Sequence, residues 1–303
     1  MKGVAFPPGF RVGHWSDPVR ETGCTVILPP PGNVCSYEMR GSSPGSRELA
    51  SLDLERRATE VHAILLTGGS AFGLAAADGV MRWLEQSGTG YHTDVATIPV
   101  VPAAVIFDGG AARGHRRPDA DAGYAACVAA HDGPVESGRI GAGTGATVGK
   151  WAGREHRVPG GLGVAGVERD GMTLAALAVV NALGDIIAEQ GQVIAGTRAA
   201  MRRFRRPAPP RETAVQSSTV LAVVATALRL DKSQVRFLAA RASDGVTISV
   251  RPAHTRYDGD VSFAIAGPPA AAQPEADVDL LGMLATEVVA AAVRSAVEQE
   301  AGH

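Results

Sequence analysis

Several kinds of residue and pattern are scarce in this chain, and each scarcity removes a class of function. Aromatic residues make up only 5% of its 303 residues, so the core must be built mainly of Ala, Val, Leu and Ile. The three cysteines, Cys24, Cys35 and Cys127, are too few and too scattered for a disulfide framework or a CxxC metal site, and they read as buried thiols. The eight histidines show no HExxH or paired-ligand spacing, so no metal or other cofactor is expected. A formal net charge of -2 gives no overall attraction to nucleic acid or to an anionic membrane. No apolar run reaches the ~20 residues that span a bilayer, and Met1 to Pro8 lacks the apolar stretch of a signal peptide. A cytoplasmic protein with neither a nucleic-acid nor a membrane partner is expected.

What is present suits a globular fold. A chain of this length can bury roughly 75% of its unfolded surface, enough for one large core or two ordinary domains, and its hydrophobic content is 45%. Cys24 to Leu28 reads as a buried strand ended by Pro29-Pro30-Pro31, which cannot donate to a ladder. Val61 to Thr67 reads as another. Gly68-Gly69-Ser70 breaks it, and Leu74, Ala77, Met81 and Leu84 then recur at helical spacing, with Ser70 as the expected cap. A helix is expected around Tyr124 to Ala130. Gly163 to Ile187 holds two apolar stretches about Arg169-Asp170-Gly171, a hairpin signal.

Arg198 to Ser218 carries Arg198, Arg202, Arg203, Arg205, Arg206 and Arg211 with Pro207, Pro209 and Pro210, the composition of an exposed linker. Thr219 to Thr226 follows as a continuous apolar strand. Asp231-Lys232-Ser233-Gln234 resembles a capping box opening a helix to about Ala242. Val246 to Val250 and Val261 to Ala266 read as strands, and Val278 to Val297 as a closing helix with Leu281, Leu284, Val288, Ala291 and Ala292 on one face. Antiparallel strands with helices before and after predict a layered α+β domain, with sheets packed together and helices outside.

Two glycine-rich segments invite other chemistry. The run Gly141 to Lys150 looks like a phosphate loop, but a Walker sequence would need glycine at 144 and Ser or Thr at 151, where this chain has Thr144 and Trp151. Gly141-x-Gly143-x-x-Ala146 follows no clear strand, which favours tight backbone packing over dinucleotide binding. Gly68-Gly69-Ser70-Ala71-Phe72-Gly73 carries a serine on a strand-to-helix turn but is not the G-x-S-x-G elbow, so a helix cap is favoured over a nucleophile.

The junction of linker and strand, Ser217-Ser218-Thr219-Val220, is more informative. A hydroxyl residue after a small residue, where a loop enters an apolar strand, is a place where a chain can cut itself and expose a new N-terminus. A strand threonine taken alone is ordinarily a packing residue. Here it stands with Gly23-Cys24-Thr25, Leu66 to Leu74, Gly141 to Gly145, Val180-Asn181-Ala182-Leu183-Gly184-Asp185 and Val250 to Asp260. In that order these motifs resemble peptidase family S58, which holds L-aminopeptidase/D-amidase-esterases, β-peptidyl aminopeptidases and a pantetheine hydrolase. The resemblance runs from about Val12 to Gly267.

The resemblance implies a four-layer αββα sandwich with the layers of N-terminal-nucleophile hydrolases but a different connectivity. It implies one domain over 1–303, cut at Ser218-Thr219 into 1–218 and 219–303, and a homo-oligomer, a tetramer of processed units. Thr219 would be the nucleophile and its freed α-amine, of ordinary pKa about 7.7 to 8.0, the general base. Asn181 would donate to the oxyanion. Asp258 and Asp260 match a Ser-x-Glu pair that helps activate the nucleophile and engages the amine, with Asp260 expected to contact it. Two carboxylates at i and i+2 on a strand would point the same way and raise one another's pKa. His254 is read as a structural hydrogen-bonder. Relatives carry Asn-Thr or Gly-Ser at the cut, whereas Ser218 lacks the turn tolerance of Asn or Gly. Two readings therefore stand: a self-processed aminopeptidase or amidase acting on small peptides, amides or esters with a free amine, and an uncleaved, inactive homologue that binds or scaffolds. A serine hydrolase using Ser70 is a third.

Overall fold

The computed structural model describes residues 3–112, 116–199, 218–268 and 277–298; the centre of the expected linker, residues 200–217, lies outside them. Ten strands form two five-stranded sheets. In chain order they are β1 (Arg11–Asp17), β2 (Thr22–Leu28), β3 (Val34–Met39), β4 (Ser46–Arg47), β5 (Ile64–Thr67), β6 (Ala103–Val105), β7 (Gly161–Arg169), β8 (Met172–Asn181), β9 (Thr219–Thr226) and β10 (Val261–Ala266). The first sheet runs β1-β2-β5-β6-β4 and the second β7-β8-β9-β10-β3. Both are antiparallel apart from one parallel pair each, β5 with β6 and β9 with β10. The helices are α1 (Ala76–Gln86), α2 (Ala120–Val128), α3 (Lys232–Ser249) and α4 (Val278–Ser295).

Burial on both faces explains why β8 and β9 are unbroken apolar runs rather than alternating ones. Leu177, Val179, Leu221, Val223 and Ala225 face the first sheet, packing with Ile27, Ile64, Leu66 and Phe263. Their neighbours Ala176, Ala178, Val180, Val220, Ala222 and Val224 face α3 and α4, where Leu238, Ala242, Leu284 and Val288 meet them. On the other side α1 and α2 cover the first sheet, with Ala76, Val80, Leu84 and Ala126 over Cys24, Val26 and Leu65. The layers are αββα, as the resemblance implied. Cys24, Cys35 and Cys127 are free and buried, as expected.

The β7–β8 hairpin turns at Asp170 and Gly171, both at positive φ (53° and 75°), as a two-residue type I′ turn demands. Three local expectations need correction. Residues 246–249 are not a strand: α3 continues to Ser249, because Val235, Leu238, Ala239, Ala242 and Val246 form one buried helical face, and of the expected strand Val250 alone is extended, paired with Ile186. That packing outweighs the β-branched character of Val246, Thr247 and Ile248. Ser70 does not cap a helix. It sits at φ 56° inside a 3₁₀ turn (Ser70–Ala75) that has no side-chain cap, and Asp108 Oδ1 instead accepts from Gly69 N at 2.8 Å. The helix expected around Tyr124 to Ala130 is α2, which begins earlier because the Asp119 side chain caps it through Ala122 N.

Phe263, fully buried between the sheets, tests the inner layer. Phe263→Ala is expected to cost about 3–5 kcal/mol of stability, read as a lowered urea midpoint with an unchanged slope.

Candidate active site

The site lies where β9 begins. Thr219 is the first residue of that strand and pairs across the antiparallel ladder with Asn181, the last residue of β8. On its other side the segment leading into β10 runs parallel to the chain at Ser218. Ser218 N donates to Tyr257 O at 3.0 Å, and Gly259 N donates to Ser218 O at 2.8 Å. The Thr219 hydroxyl donates to the same Ser218 carbonyl at 2.5 Å. One carbonyl, that of the bond expected to break, thus receives two donors in a buried setting. Gly259 allows this approach: a Cβ there would stand 2.7 Å from Ser43 O and 3.0 Å from Thr219 Oγ1.

Asn181 is fully buried, and both ends of its amide have partners. Its Oδ1 accepts from Thr147 N at 3.0 Å and from Lys150 Nζ at 2.9 Å, and its Nδ2 donates to Phe107 O at 3.1 Å. Lys150 Nζ also donates to the Asn181 carbonyl at 2.9 Å. Sequence reasoning missed Lys150, which entered only as part of a failed phosphate-loop match. Burial pulls its pKa down to about 7, the charges of Arg154 and Arg157 add to that, and Asp258 opposes it. An amine buried among neutral acceptors gives up its proton more readily than one in water. A single Lys after a glycine run carries no sequence signal for such burial.

The two aspartates do not behave as a matched pair. They precede β10 rather than lying within a strand, and their carboxylates do different work. Asp258 Oδ2 accepts from Thr255 N at 2.8 Å and Thr255 Oγ1 at 2.6 Å, closing its own turn. Burial raises its pKa, and the charge of Asp260 adds to that. Asp260 Oδ1 accepts from Val220 N at 2.6 Å, and its Oδ2 meets His254 Nδ1 at 2.7 Å. Asp260 therefore grips the residue after Thr219 and holds no ammonium in this uncut chain. His254 is a hydrogen-bonder, as read. Among the described residues Ser70 Oγ has no hydrogen bond to a histidine or carboxylate. Among those residues, no three His, Cys, Asp or Glu side chains are placed to hold a metal. A hydroxyl against a polarised carbonyl, beside an amide, a near-neutral amine and two carboxylates, is a constellation suited to acyl transfer.

Comparison with known proteins agrees with this chemistry. The profile of peptidase family S58 matches residues 7–301. An uncharacterized aminopeptidase of Mycobacterium tuberculosis is 38% identical over 98% of this chain and 91% of its own. A 6-aminohexanoate-oligomer endohydrolase of Agromyces sp. is 30% identical over 85% of this chain and 73% of its own. Among solved structures, the L-aminopeptidase D-Ala-esterase/amidase of Ochrobactrum anthropi, described as a variant of the Ntn-hydrolase fold, superposes with TM-score 0.70 at 22% identity, covering 98% of this chain and 87% of that one. A Burkholderia sp. β-aminopeptidase gives TM-score 0.69 at 20% identity, covering 97% and 87%. At those identities the two structures bear on the fold alone.

The burial of Lys150 has a direct readout. In protein labelled at lysine Cε, Lys150 is expected to titrate at about 7, against about 10.4 for an ordinary lysine. A Lys150 resonance that stays unmoved until pH 10 would refute the assignment; Lys2 and Lys232 are the other lysines to resolve from it.

Proposed function

This chain belongs to peptidase family S58 and is a hydrolase, and from that premise we propose that it cuts itself between Ser218 and Thr219 and then works as an N-terminal-threonine aminopeptidase or amidase. The observation that carries this reading is the 2.5 Å contact of Thr219 Oγ1 with the Ser218 carbonyl, which Gly259 N–H also engages. Thr219 Oγ adds to the Ser218 carbonyl carbon while its proton passes to the Thr219 nitrogen. The negative charge gathers on the oxygen that faces Gly259 N–H. Breaking the C–N bond leaves Ser218 esterified to Thr219 Oγ and frees the α-amine, and water then hydrolyses the ester to leave a carboxylate on Ser218.

The cut makes the base. An α-amine of ordinary pKa about 7.7 to 8.0 can accept the Thr219 hydroxyl proton at neutral pH, so no separate histidine is needed. Asn181, opposite Thr219, supplies the donor for the substrate oxyanion. Its amide has two N–H donors, of which Phe107 O takes one. Lys150 holds the amide by its oxygen, which fixes the direction of the nitrogen. Asp260 and Asp258 lie beside the new N-terminus, where negative charge attracts a substrate amine.

The pieces 1–218 and 219–303 stay together after the cut, because β9 is laddered to β8 and β10 to β3. Small peptides, amides or esters with a free amine are the proposed substrates, in keeping with relatives named aminopeptidase and 6-aminohexanoate-oligomer endohydrolase. A cytoplasmic homo-oligomer of processed units completes the proposal. No helix among the described residues is long and apolar enough to cross a membrane.

Purified protein is expected to run as two bands on a denaturing gel, the smaller beginning Thr-Val-Leu-Ala. Thr219→Ala should give one band and no hydrolysis of aminoacyl-nitroanilides, while Thr219→Ser still processes. A wild-type chain that stays as one band on incubation would instead favour the uncleaved scaffold. In processed enzyme, Asn181→Ala is expected to lower kcat about 100- to 1000-fold, measured on the same nitroanilides.

A further inference from the structure

Ser243 and Asp260, both buried, form a small hydrogen-bonded network with part-buried His254 and exposed Thr247, one residue removed from Thr219. We propose that His254 is a positioning residue, a doubly protonated imidazolium that fixes Asp260 on the Val220 N–H and so sets the backbone at Thr219 for self-cleavage and for the later reaction. This rests on the reading of Thr219 as nucleophile.

The protonation state follows from the partners of the two ring nitrogens. Nδ1 lies 2.7 Å from Asp260 Oδ2. Nε2 lies 3.0 Å from Thr247 Oγ1 and 3.3 Å from Ser243 O. The Thr247 hydroxyl lies 3.0 Å from Ser243 O; with its proton directed there it offers only lone pairs to the ring, and the Ser243 carbonyl facing Nε2 is an acceptor in any case. Both nitrogens therefore face acceptors, and a neutral imidazole has one proton to give. The arrangement is satisfied when the ring carries both protons and Asp260 is a carboxylate.

The backbone agrees. His254 N donates to Asp260 Oδ2 at 3.2 Å, so main chain and ring grasp the same oxygen while Oδ1 takes Val220 N at 2.6 Å. His254 makes both contacts at φ 54°, a left-handed conformation that a non-glycine residue rarely adopts.

The charges around the ring favour the same state. Burial pulls the His254 pKa down, but the hydrogen bond and charge of Asp260, with the Ser243 carbonyl, carry it above 6.5. Arg40, at the end of β3, opposes the imidazolium, yet Arg40 is itself paired with Glu38 at 3.2 Å and with Asp244 of α3 at 2.6 Å. Arg241 shares Asp244. Asp258 is the other carboxylate of the same segment, and the charge of Asp260 adds to burial in raising its pKa. Since the pKa is raised, the pair is intact below it and is lost as pH rises through it. Loss of one proton turns a donor into a lone pair facing an acceptor, which loosens Asp260 and with it Val220.

Two experiments test this separately from the cleavage reading. In the uncut Thr219→Ala protein, ring-labelled His254 is expected to titrate above 6.5 with the Val220 amide resonance moving along the same curve. Asp260→Asn should bring that titration below 6.5. This measurement needs no activity, so it decides the protonation and positioning even if wild-type protein never processes. In active protein, His254→Gln keeps a donor but cannot carry charge. It is expected to process and turn over about 10- to 100-fold more slowly, with KM unchanged, and to lose the alkaline fall of the wild-type pH profile. His254 titrating at or below 6.5, or a His254→Gln enzyme with the wild-type kcat and pH profile, would overturn the proposal.

Discussion

The parallel bridge between Ser218 and the segment at Tyr257 to Gly259 is the constraint on which the chemistry of this molecule depends. Through it the Ser218 carbonyl receives the Gly259 N–H while the strand that follows is drawn between β8 and β10. Thr219 is thus placed by the ladder of a sheet rather than by its own side-chain packing. A ladder suits that task because each hydrogen bond is modest, about 1 kcal/mol net, while the set together admits only one register. A slip of one residue would turn Thr219 to the opposite face and Val220 into its place.

Around that bridge the molecule buries Asn181, Ser218, Thr219, Asp258, Asp260 and Lys150. Buried charge is tolerated where partners compensate the lost hydration. Asp260 has Val220 N and His254, and Asp258 has both donors of Thr255. Lys150 is the exception in kind: the hydrogen bonds recorded for its ammonium go to the neutral oxygens of Asn181, and its pKa falls accordingly. The result is a site in which a carboxylate is raised, an amine is lowered and an amide is locked between them. Such divergence of titrating groups is characteristic of sites that move protons.

The parts legible from sequence were those with a local cause. Thr219 to Thr226 matched its strand to the residue because a run buried on both faces has no polar interruption, and the Asp170-Gly171 turn announced its hairpin because few other residue pairs accept two positive φ angles. The end of α3 was misjudged because β-branched residues favour strands locally, while the buried face running from Val235 to Val246 is a tertiary property. Ser70 was misjudged because it lies inside a 3₁₀ turn at φ 56°, in a loop tied by Gly69 N to Asp108, a residue far along the chain. Lys150 was missed altogether, since nothing adjacent to it in sequence tells that Asn181 lies above it.

By itself the sequence determined the layers and the family. Apolar periodicity, turn chemistry and a set of ordered motifs are local properties, and each survives being read one segment at a time. Tertiary structure alone decided how the site is wired: that Gly259 reaches the Ser218 carbonyl, that Asp258 and Asp260 face different partners, and that Lys150 is stripped of water. The reason is physical. A hydrogen bond across 40 residues and the desolvation of one amine depend on distances that exist only once the sheets have closed.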